Sequence, residues 1–178
     1  MLSVTPSPMP GRSSKSGLLL ALILLSAIYL FYSFSYTETY LEISGENKTC
    51  YIPVMEKEVV SVSFIHSVEL SKEIDFYRIE NNSLVLFKTL TKSAGWGLPS
   101  TEKNFSTVEY KGEKWFQFGI LRNISVLRIS VNPFNHYTVE TGKYMINLDD
   151  LGKTVTLKVV VLNPVKATLV GGCQLERN

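Results

Sequence analysis

Two stretches of this sequence hold residue types from which a site can be built. The first, Phe64-Ile65-His66-Ser67-Val68-Glu69, ends a strongly alternating run, and Glu73, Asp75 and Arg78 follow within a few residues. An imidazole beside carboxylates and a guanidinium suits a polar binding pocket or acid–base chemistry. His66 shares the parity of Val60, Val62 and Phe64, so it is expected to point inward near the end of a sheet, where a satisfied core histidine is the plain alternative. The second stretch is Ser93-Ala94-Gly95-Trp96-Gly97-Leu98-Pro99. A glycine on each side of the indole permits positive φ or close approach of another chain, and Pro99 stiffens the exit. Such a loop either presents Trp96 to a ligand or uses it as a plug for one end of a sheet.

More specific chemistries find little support. His66 and His136 are the only histidines, and no fixed ligand spacing ties them to acids as a zinc site requires. There is no Gly-x-Ser-x-Gly elbow, and Ser67 beside His66 on a strand faces the opposite side. Gly95-Trp96-Gly97 lacks the further glycine and helix of a phosphate loop. Pairs such as Glu69 with Glu73 or Asp75 arise in any acidic β-protein. The sequence therefore nominates His66, Glu69, Arg78, Gly95, Trp96, Gly97, Leu98 and Pro99 as binding residues. It nominates no catalytic residue, no metal ligand and no cofactor.

The elements that must position these residues read as strands. Val60, Val62 and Phe64 alternate with Ser61 and Ser63. Leu127, Ile129 and Val131 stand opposite Arg128 and Ser130, and Val155, Leu157, Val159 and Val161 alternate with Thr154, Thr156 and Lys158. Period two over such lengths means half-buried strands. Asn81-Asn82 and Lys111-Gly112 each join two such runs at the spacing of a tight hairpin. About nine or ten short strands, with no internal repeat, predict an antiparallel β-sandwich or flattened barrel.

No charged residue lies between Lys15 and Glu38. The run is long enough for one bilayer-crossing helix, since a hydrocarbon core of about 30 Å needs roughly 20 apolar residues. The chain thus divides into a disordered cytoplasmic N-terminus over 1–15, a transmembrane helix over 16–37 and an extracytoplasmic β-domain over 38–178. Arg12 and Lys15 precede the run, and Glu38 and Glu42 follow it. The positive-inside rule then places the N-terminus in the cytoplasm of a single-pass protein of the cell membrane. A cleaved signal sequence is the competing reading, with Ser33 and Ser35 as small residues near a cleavage point; against it, the apolar run is long and Phe31, Tyr32 and Phe34 are bulky.

All 16 acidic residues follow the run, with 16 of the 18 basic ones, so the β-domain is formally neutral and has no electrostatic footprint for nucleic acid. Cys50 and Cys173, an even count outside the cytoplasm, are expected to pair as a disulfide. Asn47, Asn81, Asn104 and Asn123 open glycosylation tripeptides.

His66-Ser67-Val68-Glu69, the acidic-aromatic Glu73-Ile74-Asp75-Phe76-Tyr77-Arg78 and the Gly95-Trp96-Gly97-Leu98-Pro99 loop together resemble a family of short membrane-anchored domains of unknown function, number 1850. The resemblance runs from about Val59 to Pro99, with a weaker echo at Asn135-His136-Tyr137. The family usually has alanine where this chain has Trp96. Its genes often lie beside TRAP-type transporters of the TAXI branch. The resemblance implies an extracytoplasmic β-domain and a transporter neighbourhood, and it supplies no activity. The reading adopted from the sequence is a membrane-anchored domain that binds a transporter subunit or small solute, as an accessory to a solute-uptake system. A membrane-tethered hydrolase or metal-dependent enzyme using His66 and nearby acids, and a purely structural envelope domain, are the rival readings.

Overall fold

The computed structural model describes residues 14–68, 70–93, 105–171, 173 and 176–177. Two compact units divide the chain, Met1–Tyr36 and Thr37–Asn178. The first contains helix α1, Ser14–Ser35, whose Gly17–Ser35 portion has a mean hydropathy of 2.2. By length and composition this helix can cross a membrane, a test that a signal sequence also passes. Its leucines and aromatic rings are exposed, as suits a helix whose neighbours are lipid tails.

The second unit is built from antiparallel pairs. Strands β1 (Glu38–Ser44), β2 (Thr49–Pro53), β8 (Leu127–Ser130) and β11 (Thr154–Leu162) form a four-stranded sheet in the order β2-β1-β11-β8. The larger sheet uses β3 (Val59–Ile65), β4 (Lys72–Glu80), β5 (Ser83–Thr91), β6 (Phe105–Tyr110), β7 (Glu113–Ile124), β9 (Thr138–Glu140), β10 (Tyr144–Asn147) and β12 (Glu176–Arg177). Its order is β12-β10-β9-β3-β4-β5-β7-β6. Among the described residues neither sheet closes on itself, so the sandwich is the architecture present rather than the flattened barrel. The twelve strands among the described residues exceed the nine or ten expected because β9 and β12 are three and two residues long, too short for alternation to show. Helix α2, Pro164–Val170, follows β11 and is capped by the Asn163 side chain, which accepts from the Val165 N–H.

Both expected hairpins form. Asn81 and Asn82 have φ of 49° and 58°, and Lys111 and Gly112 have 52° and 78°. Positive φ at both central residues is the turn whose twist matches the strands it joins. The main core lies between the sheets, with Leu41, Ile43, Ile52 and Leu157 from one side and Val60, Val62, Ile79, Leu84 and Val139 from the other. On the opposite face of the larger sheet Ile74, Phe76, Leu90 and Trp115 form a second cluster. Gly45, in the turn between β1 and β2, sits so close to Leu151 that a Cβ there would lie 2.3 Å from its carbonyl oxygen. Cys50 and Cys173 are disulfide-bonded, with Cα atoms 5.3 Å apart.

Candidate functional site

His66 lies just past the end of β3, half-buried, where its N–H donates to the Ser71 carbonyl at 2.8 Å and its own carbonyl accepts from the Leu70 N–H at 2.8 Å. These bonds close the connection to β4. Arg78 pairs with Val59 at the other end of the same two strands, roughly 20 Å away at about 3.3 Å per residue. There its guanidinium bonds Glu80 at 3.1 Å and covers the Phe87 ring at 4.7 Å. The fold therefore does not bring His66 and Arg78 together. Glu69, Gly95, Trp96, Gly97, Leu98 and Pro99 fall outside the described residues. The strand end from which the second stretch departs, Thr91 and Lys92, lies against Glu73 and Lys72, the same end of the sheet as His66. His136 is exposed, 3.8 Å from the Asp149 carboxylate. Among the described residues no three His, Cys, Asp or Glu side chains converge to hold a metal.

The structure brings together a different set of polar groups, on the core-facing side of β4. Glu73, Asp75 and Tyr77 share one face, opposite Phe64, Val62 and Val60 of β3. Asp75 accepts hydrogen bonds from the Thr89 hydroxyl across the β4–β5 pair and from the Tyr77 hydroxyl at 3.3 Å. Thr89 reaches it because of a bulge. Tyr77 opposes Leu86 and Phe76 opposes Lys88, leaving Phe87 as the extra residue on β5. Without that extra residue the parity of β5 would place Lys88 inward; with it Thr89 and Thr91 turn inward, and both are buried.

Burial pushes the Asp75 carboxyl up from its ordinary value, and its two hydroxyl donors hold it partly down. Glu73 is pushed up to about 7, first by burial and then by the neighbouring Asp75 charge. Its Oε2 is buried and accepts no hydrogen bond among the described residues. Burial, and then the Asp75 charge, raise Tyr77 far above an ordinary phenol, with Arg122 opposing. Neither carboxyl takes part in an ion pair among the described residues.

Beside them lies a cavity of about 240 Å³ between the sheets, lined by Val62, Phe64, Asp75 and Tyr77 on one side and by Leu127, Arg128, Ile129 and Ser130 of β8 on the other. Tyr137 completes the lining, its ring stacked on Phe64 with centroids 4.9 Å apart. Apolar walls around a few convergent polar groups are the usual make-up of a small-molecule site. Local alternation gives no signal for it, because Ile74 and Phe76 are the apolar set at the start of β4; it is the β3–β4 register that turns Glu73, Asp75 and Tyr77 to the core side.

A family model described as "Domain of unknown function (DUF1850)" matches residues 60–148, half of the chain. The chain belongs to this family. The matched span runs from the second residue of β3 through β10 and contains every residue that lines the Asp75 cavity. No curated protein and no solved structure matches the chain.

Proposed function

We propose that this DUF1850 chain is a membrane-anchored extracytoplasmic binding module, accessory to a TRAP-type solute transporter, and that its solute site is the cavity beside Asp75. One observation supports the binding reading above all: Asp75, which has no ion pair among the described residues, lines a cavity between the sheets, and Glu73 follows it on the same face of β4. Burying acids without a counter-charge costs stability, and a site that receives a ligand is a standard reason for accepting that cost. The transporter association rests on the family resemblance. His66, at the end of β3, is a proposed partner-facing residue, together with Glu69 and the Gly95–Pro99 stretch, which lie outside the described residues.

Affinity purification of the full chain from native membranes tests the association. A transporter subunit should co-purify, and less of it with His66→Ala or Trp96→Ala at unchanged melting temperature. Recovery of the intact chain with no transport protein would refute the accessory role. A reporter active only in the cytoplasm, fused after Asn178, should be silent; strong activity would reverse the topology.

A further inference from the structure

The walls of the cavity beside Asp75 select for charge. Asp75 and Tyr77 supply polar groups from β4, the phenol hydroxyl donating to the carboxylate. Val62, Leu127 and Ile129 are apolar, and Phe64 and Tyr137 add a stacked pair of rings. Arg128 and Ser130 border the cavity, but they alternate with the core-facing Leu127 and Ile129 and pair with Thr156 and Thr154. They therefore belong to the outer face of the four-stranded sheet. Arg122, exposed on β7, acts on Tyr77, whereas the Asp75 carboxyl responds to burial and to its two hydroxyl donors. Glu73, on the same face of β4 and opposite Phe64, adds a second carboxyl whose buried Oε2 accepts no hydrogen bond among the described residues. The volume of about 240 Å³ falls below the range of roughly 300–1,000 Å³ that suits drug-sized ligands, so the occupant is small.

We propose that this cavity takes a small organic cation, an alkylammonium whose N–H groups meet the Asp75 carboxylate and whose alkyl chain lies against Phe64, Tyr137 and Leu127. The inference rests on the binding reading above and adds the class of solute to it. An ionised carboxylate has about four acceptor sites, so the Tyr77 and Thr89 hydroxyls leave room for an ammonium donor. A cation is drawn both by the carboxylate and by the ring faces. An anion is repelled by both, and a neutral solute leaves the acid without a counter-charge. A divalent metal is disfavoured because no three ligating side chains converge among the described residues, and hard cations take six or more oxygens.

The test uses the full chain in detergent and three probes of similar shape, followed by calorimetry: isoamylamine, which is cationic, isoamyl alcohol, which is neutral, and isovalerate, which is anionic. The amine should bind at least about tenfold more tightly than either of the others. Asp75→Asn keeps an acceptor for both hydroxyls and should remove the preference for the amine while leaving the alcohol unchanged. Tyr137→Leu keeps an apolar wall and removes a ring, so it should weaken the amine more than the alcohol. Tyr137 is only half-buried, so this variant reports even if Asp75→Asn fails to fold. Equal binding of amine and alcohol, amine binding that Asp75→Asn leaves intact, or no amine binding at millimolar concentration would overturn the proposal. Binding of a neutral or anionic solute that Asp75→Asn abolishes would overturn the cation alone and leave the binding module standing. If no solute depends on Asp75 and no transporter co-purifies, both fall.

Discussion

Thr89 donates its hydroxyl hydrogen to the Asp75 carboxylate across the β4–β5 pair, and it does so only because Phe87 is bulged out of register. A backbone irregularity on one strand thus determines the partner of a half-buried acid on the next.

Thr89→Val keeps the shape and removes the donor. The Asp75 oxygen would then be left buried with one hydroxyl fewer, at an expected cost of about 1–3 kcal/mol. Urea denaturation of residues 38–178 checks this, and an unchanged midpoint would mean that water or a rearranged Tyr77 replaces the bond.

The pH dependence has a definite sign. Glu73 binds its proton up to about pH 7 in the folded protein, against 4.5 for an unperturbed glutamate. Between those values the folded state holds more protons than the unfolded one, so stability falls as pH rises through that window and levels off above it. Partial exposure softens the slope. Glu73→Gln should flatten the profile and raise the melting temperature above about pH 7; a variant that follows the native profile would assign the slope to another group.

Reducing the Cys50–Cys173 bond should be expensive. The bridge spans 123 residues, and a loop of that order accounts for roughly 4–5 kcal/mol in the chain-entropy treatment. A melting temperature that a reductant leaves unchanged, with both thiols shown to be free, would contradict this.

Gly45→Ala places a methyl group 2.3 Å from the Leu151 carbonyl oxygen, a backbone atom that cannot swing aside. A loss of about 1–3 kcal/mol is expected from overpacking. Gly142→Ala is the control, since nothing lies within 4 Å of a Cβ there. Equal melting of the two variants would show that the turn relaxes freely.

Much of the sandwich is legible because its signals are local. Asn81-Asn82 and Lys111-Gly112 suit positive φ, and the parity of Val60, Val62 and Phe64 names the inner face of β3. The cysteines pair as compartment and even count suggest. Arg78 was legible too, since alternation from Asp75 turns it to the outer face of β4, away from the acids. The site was harder to read because it depends on registry between strands. Nothing in Leu84–Thr91 announces that Phe87 is the extra residue, and Arg128 and Tyr137 reach the cavity from strands and turns 50 or more residues beyond Asp75. His66 drew attention through its chemistry, whereas its observed backbone bonds close a turn.

Because Cys50 and Cys173 are covalently joined, the polypeptide between them is a closed ring hung from the N-terminal helix by residues 36–49. A single protease cut within that ring opens it without freeing either piece. A nicked domain would stay tethered and run as one species until a thiol reagent is added, whereas a cut between the helix and β1 would release the whole β-unit at once.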